Sequence, residues 1–249
     1  MRHDIDADPE KGVELASILA QYGVPASFYI LHSAQYYGIY SDNKFHRNPR
    51  LKTWVKELLL SGVEIGLHND AVGLSKKGYN GAEILVRELS FIRSLGAKVI
   101  GTVAHNSFPT QLAENFEIFK NLVLFDRETE LDIGVLSMDE LELSYEGNYS
   151  LIKDQIIVDD LDEFIKLDYA QNKIAWLSIY LLDNPVMGKD YEIDVWLLGK
   201  DQWLICDRRK DQKHPDILEG SKNLIKYLSE LKDSPRVVLT IHPEFYQSK

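Results

Sequence analysis

The sequence predicts an α/β protein built on a parallel sheet with crossover helices, and three observations predict it. Short apolar runs alternate with longer stretches of helical periodicity. Glycines close the helical stretches at Gly23, Gly62 and Gly96. Several of the apolar runs end in Asp or His, at the strand edge where α/β proteins collect their chemistry. Such a sheet is either open or closed into a barrel.

In chain order, Arg2-His3-Asp4-Ile5-Asp6 reads as extended, so Asp4 and Asp6 project from one face. Asp8 is then placed to cap a helix and Pro9 to take its first position. Residues 10–22 carry the stripe Val13, Leu15, Ala16, Ile18, Leu19 and Ala20, and residues 25–31 follow as a buried strand. Residues 32–48 are polar and aromatic, with Tyr36, Tyr37, Tyr40 and His46, which suits a loop over a site. A helix over 49–60 leads to a strand over 63–67 that runs into His68-Asn69-Asp70. A second long helix, 80–95, carries Ile84, Leu85, Leu89, Ile92 and Leu95 and leads to a strand over 99–104 that runs into His105-Asn106-Ser107.

The pattern weakens over 111–165, where a helix near 111–119, a strand at 122–125 and short strands between 134 and 158 are expected. Strands at 175–180 and 237–241 and a helix at 219–232 complete the reading. The acidic run Asp159-Asp160, Asp162 and Glu163 lacks the glycine and terminal glutamate of a calcium loop and reads as the first turn of a helix. No repeat or linker interrupts the chain, so residues 1–249 are expected to form a single domain. The first strand begins at residue 1 or 2, so a short preceding N-terminal piece is expected in the natural protein.

The charge balance, 28 basic against 39 acidic side chains for a net −11, argues against a nucleic acid or an anionic membrane as partner. The single cysteine, Cys206, excludes an intrachain disulfide framework and fits a reducing compartment, so a cytoplasmic location is expected. No apolar stretch approaches the roughly 20 residues of a membrane span.

The residues that end the strands carry the chemistry: Asp4 and Asp6, His68, His105 and, after the last strand, His242. A lone histidine in such a place is usually a hydrogen-bonded loop residue. Several at one sheet edge, together with paired carboxylates, make a donor set for one divalent first-row metal: zinc, cobalt, nickel or manganese. Such a metal lowers the pKa of its water toward about 7 and polarises a carbonyl, so hydrolysis is the expected reaction. The remaining needs are a base and a proton donor, for which Asp4 and His242 are available.

Asp70, Asn106, Tyr37 and Trp203 are candidates to touch substrate or support the ligands. Asn106-Ser107 could donate to an oxyanion or simply form a turn. The loop containing Tyr36, Tyr37 and Tyr40 offers a carbohydrate platform, a role that Trp176, Trp196 and Trp203 could share unless they belong to the core. His32, His46 and His214 are expected at the surface or in loops.

These motifs resemble the NodB-type polysaccharide deacetylases, carbohydrate esterase family 4, in the divergent branch that opens with His-Asp-Val-Asp. Here the opening is His3-Asp4-Ile5-Asp6. Pro25-Ala-Ser-Phe-Tyr-Ile30 is similar to the family's second strand, Gly62-Val-Glu-Ile-Gly-Leu-His68 to its second motif, and Leu239-Thr-Ile-His-Pro-Glu244 to its final strand. The resemblance implies a deformed (β/α) barrel, one divalent metal with zinc foremost, and removal of an N-acyl, typically N-acetyl, group from a carbohydrate. By position it implies Asp4 as base, Asp6 and His68 as metal ligands and His242 as catalytic acid.

The chain also departs from the family. Val72 stands four residues after His68, where a second histidine ligand is usual, and valine cannot bind metal. His105 is the first choice to replace that ligand and Asp70 the second. The family's Arg-Pro motif is missing, which leaves Arg2 or Arg208 as substitutes for its arginine. Two other readings therefore stand beside the deacetylase: a catalytically impaired carbohydrate-binding relative, and a hydrolase of another C–N amide such as a nucleotide sugar or cyclic amide. In each, the partner is a carbohydrate or small molecule, and the oligomeric state is left open.

Overall fold

A computed structural model of the chain describes residues 1–41, 44–105, 113–124, 127–152, 175–179, 191–197, 202–209 and 236–243. It divides into two compact units, His3–Ser150 and Met1–Arg2 with Leu151–Lys249, where the sequence reading treats the chain as one domain. The helix expected at 219–232, the acidic run at 159–163, Asn106 and His214 lie outside the described residues.

The first unit is mixed α/β. Its strands are β1 (Arg2–Ile5), β2 (Ser27–Leu31), β5 (Glu64–Asn69), β6 (Gly101–Ala104) and β7 (Tyr145–Glu146), with a separate hairpin of β3 (Gly38–Ser41) and β4 (Lys44–Arg47). Its helices are α1 (Pro9–Gln21), α2 (Leu51–Leu60), α3 (Ala71–Lys76), α4 (Gly81–Ser94) and the short α5 (Gly147–Ile152). The order across the sheet is β7-β6-β5-β2-β1, and β2, β5, β6 and β7 pair in parallel. This is the parallel sheet with crossover helices that the alternation predicts.

Helices α1 and α4 start for local reasons. The Asp8 carboxylate accepts from the Lys11 N–H at 3.2 Å, with Pro9 in the first turn, and Gly23 at φ 64° turns the chain out. The Asn80 side chain accepts from the Glu83 N–H at 2.9 Å to start α4, and Asp132 accepts from Gly81 N–H at 2.9 Å. From there Ile84, Leu85, Leu89 and Ile92 are buried, each worth about 1.5–3 kcal/mol.

Two expectations need correction. Residues 32–48 are not a loop alone, because they contain the β3–β4 hairpin. Where a helix over 111–119 and a strand over 122–125 are expected, the described residues 113–124 hold 3-10 turns at Asn115–Ile118 and Lys120–Leu122 instead. Of the short strands expected between 134 and 158, β7 is one, and Leu136 adds an isolated bridge to Phe119; residues 153–158 lie outside the described residues.

In the second unit the described strands are β8 (Ala175–Ile179), β9 (Tyr191–Leu197), β10 (Gln202–Arg209) and β11 (Arg236–Ile241). β10 and β11 are parallel, whereas β8, β9 and β10 pair antiparallel, a meander the sequence reading does not anticipate. Trp203 stands on β10 between Leu197 of β9 and Val237 of β11, and Trp176 pairs with Trp196 across β8 and β9. His242 follows the C-terminal end of β11 and is half-buried there.

Candidate metal centre

Register brings the site together. Leu31 of β2 pairs with His68 of β5, which in turn pairs with Val103 of β6. Side chains alternate along a strand, so His105, two residues after Val103, leaves the sheet on the side that His68 occupies. The ladder continues past β6, since the His105 N–H donates to the Asn69 carbonyl at 2.8 Å. The carboxylate of buried Glu146 accepts from the Ala104 N–H at 2.5 Å, and Asn148 donates to the Ala104 carbonyl at 2.7 Å. The strand end that carries His105 is thus fixed by side chains of the β7–α5 segment.

Among the described residues, Asp6, His68 and His105 offer donor atoms that all lie within 4.8 Å of one another. His68 Nε2 is 3.5 Å from one oxygen of Asp6 and 3.7 Å from Asp4. His105 Nε2 is 4.0 Å from the other oxygen of Asp6. Bonds of about 2.0–2.2 Å to a tetrahedral zinc separate its ligand atoms by roughly 3.3–3.6 Å, so small adjustments bring this set onto one ion.

The tautomers also fit a metal. His68 Nδ1 lies 2.9 Å from the Val103 carbonyl, which can only accept, so Nδ1 carries the proton and Nε2 presents its lone pair. On His105, Nδ1 faces Asp70 Oδ1 at 3.8 Å, which leaves Nε2 toward Asp6. The two rings meet edge to face at 5.1 Å, and their Nε2 atoms converge on the carboxylate of Asp6. Val72, by contrast, is fully buried on α3, with no donor atom to offer.

The site is strongly negative. Burial works against a charged His105, but the carboxylates of Asp70, Asp6 and Asp4 outweigh it and hold the imidazole pKa above its ordinary value. Burial likewise opposes the charge on Asp70, yet the facing His105 and Ser33, with His32 beyond, bring its pKa down to about 2. Asp70 is therefore an anion, and it sits on the opposite edge of the His105 ring from Asp6. That places it behind the ring of His105 as an outer partner, instead of beside Asp6 as the replacement for Val72.

Two other expectations fail. Tyr37, expected to offer a carbohydrate platform, is fully buried, and its hydroxyl donates to Glu88 at 2.9 Å. Burial and the adjacent Glu88 carboxylate raise its pKa well above the ordinary phenol value, so it stays a donor. His32, expected at the surface, is buried, and its Nε2 accepts the Asp70 backbone N–H at 3.0 Å. Burial pulls its pKa down to about 4, so it is neutral at physiological pH. His46 is exposed, as expected.

Sequence reasoning missed Asn115. This fully buried residue donates to Asp70 Oδ1 at 3.2 Å and to the His105 carbonyl at 2.7 Å, while its own side-chain oxygen accepts from the N–H groups of Val72 and Gly73. A buried asparagine that opens a 3-10 turn has no sequence signature that separates it from an ordinary turn residue.

Fold and site together describe a mixed α/β protein that carries a candidate divalent-metal triad at the C-terminal edge of its parallel strands. In comparisons with known proteins, no family model matches the chain, and neither does any curated protein or solved structure.

Proposed function

We propose that this protein is a metal-dependent hydrolase that removes an N-acyl group, an N-acetyl group in the first instance, from a carbohydrate. The observation that carries the reading is the convergence of His68 Nε2 and His105 Nε2 on the Asp6 carboxylate, with Asp4 3.7 Å from His68 Nε2. Asp6, His68 and His105 would hold the ion, zinc foremost among the divalent first-row metals. An ion held there supplies Lewis acidity toward an amide carbonyl and a water of lowered pKa.

The chain's own groups do the rest. Asp4 is buried beside the triad, so its carboxylate can take the proton of the attacking water. His68 is fixed in one tautomer by the Val103 carbonyl, which keeps Nε2 available as a ligand. The proton for the departing amine is assigned to His242 on the resemblance alone, as is the deformed barrel. The resemblance also supplies the carbohydrate in this reading.

Metal content and acetate release from N-acetylated oligosaccharides test the reading together. Wild type should bind about one metal ion per chain and release acetate. Asp4→Asn should keep the metal and lose turnover at least a hundredfold, since general-base contributions run to about 10²–10⁴. Asp6→Asn should lose both. No bound metal in wild type after reconstitution, or equal metal loss in the two variants, would overturn it.

A further inference from the structure

We propose that Asn115 is a positioning residue of the metal centre: one carboxamide sets the place of His105 by holding its main chain and its outer carboxylate Asp70. The inference rests on the metal-centre reading above and adds a residue outside the ligand set.

The geometry leaves the carboxamide one orientation. On one side stand two groups that can only donate, the N–H of Val72 at 2.9 Å and of Gly73 at 3.2 Å. On the other stand two that accept, the His105 carbonyl at 2.7 Å and Asp70 Oδ1 at 3.2 Å. Oδ1 must face the first pair and Nδ2 the second. Asn115 is itself held from behind, because its carbonyl accepts from the Asn69 side chain at 2.7 Å. Asn69 Oδ1 in turn accepts from the Ala71 N–H at 2.9 Å, and the Asn69 carbonyl accepts from the His105 N–H at 2.8 Å.

His105 needs this support more than His68 does. His68 lies within β5, with the ladder on both sides and its Nδ1 held by a main-chain carbonyl. His105 has already left β6, and the partner of its Nδ1 is a side chain, Asp70, at 3.8 Å. Asp70 is fixed at three points: its N–H by His32, its Oδ1 by Asn115, and its main chain by the start of α3. Releasing the carboxamide's grip frees the carbonyl of His105, whose N–H stays on the Asn69 carbonyl, and the carboxylate that orients its ring. Outer partners of this kind are worth about 10–100-fold in metal affinity.

Asn115→Asp separates positioning from the alternatives. It keeps an oxygen for the Val72 and Gly73 N–H groups, so the first turn of α3 remains capped. It removes the donor to Asp70 and to the His105 carbonyl, and sets a second carboxylate against Asp70. A general electrostatic effect of the added charge would tighten cation binding, so a loss of affinity has the opposite sign.

The test is titration of wild type, Asn115→Asp, Asp70→Asn and the double variant with cobalt(II), followed by affinity and by the visible bands that report ligand geometry, beside urea unfolding of each apoprotein. The expected result is a tenfold or greater loss of affinity with altered bands in Asn115→Asp, and a double variant that binds better than the sum of the single losses requires, because repulsion at Asp70 has gone. Affinity and bands in Asn115→Asp equal to those of wild type would overturn the proposal and leave the metal-centre reading standing. A loss of affinity that only tracks global unfolding, with strictly additive single variants, would overturn it too. A wild type that binds no cobalt would overturn the metal-centre reading itself.

Discussion

Two buried polar clusters in the His3–Ser150 unit are built on opposite plans. Around Glu88 every contact is a close hydrogen bond: Tyr37 hydroxyl at 2.9 Å, Arg47 at 2.8–3.0 Å and Arg87 at 2.8 Å. Arg47 also lies over the Phe91 ring at 3.7 Å, so this carboxylate has two cations and a phenol of its own. At the strand ends, Asp4, Asp6 and Asp70 face two imidazoles across 3.5–4.0 Å, wider than hydrogen bonds. The first cluster balances its charge with side chains and closes a hairpin onto α4. The second concentrates carboxylates and aims two imidazole Nε2 atoms at one place, a geometry that suits a cation with bonds of about 2 Å.

The largest expected effect tests the Glu88 half of that contrast. Glu88→Gln takes the charge from a buried carboxylate and leaves two part-exposed guanidinium groups, Arg47 and Arg87, beside a neutral group; with about 1.5–3 kcal/mol for each bond to a charged group, discounted for the exposure of the arginines, it should cost at least about 3 kcal/mol of stability. Urea unfolding of the apoprotein measures the loss, and cobalt titration of the folded variant should give wild-type affinity. A fall in metal affinity larger than the unfolded fraction explains would mean that the two clusters are not independent.

The same contrast explains what the sequence could and could not reveal. Asp4, Asp6, His68 and His105 were legible because strand periodicity places each at a strand end, and β5 and β6 lie where the apolar runs predict. Glu88 was legible in principle, since it interrupts the buried stripe Ile84, Leu85, Leu89 and Ile92, and a charge on an apolar helix face calls for partners. The identity of those partners was not legible, because Arg47 and Tyr37 come from a hairpin in a segment that reads as polar loop. The six-residue α3 and the 3-10 turn at Asn115 are too short for periodicity to show. The β9–β10 meander did leave a trace, as Tyr191, Ile193, Val195 and Leu197 alternate with Glu192, Asp194 and Trp196, but Trp196 breaks the pattern.

A smaller effect, visible only as a function of pH, belongs to His32, which supports Asp70 from behind. Its pKa falls from 6.5 to about 4 on folding because it is buried. Between those values the unfolded chain takes up a proton that the folded chain refuses. Stability is therefore full above pH 6.5, declines as pH falls toward 4, and by linkage loses roughly 3 kcal/mol over that window. His32→Gln offers an oxygen to the Asp70 N–H but does not titrate. Urea unfolding of both metal-free proteins from pH 7 to pH 4 should show a steeper acid loss in wild type. Parallel curves would mean that His32 is charged in the fold, and that the support behind Asp70 is looser than its geometry implies.

The smallest effect decides what Tyr37 is for. Its hydroxyl makes one hydrogen bond, to Glu88, and its ring is fully buried beside Phe45. Glu88 keeps Arg47 and Arg87 when that hydroxyl is removed, so Tyr37→Phe should cost about 1.5 kcal/mol in urea unfolding, the low end for a bond to a charged group. A carbohydrate platform, the role that the polar and aromatic setting of the segment suggests, would behave differently: KM for an N-acetylated oligosaccharide would rise while stability stayed unchanged. The buried ring requires the reverse, a small loss of stability with KM at the wild-type value. That outcome would assign Tyr37 to the closed cluster and direct the search for substrate contacts to side chains with exposed surface, such as Asp6 and His105.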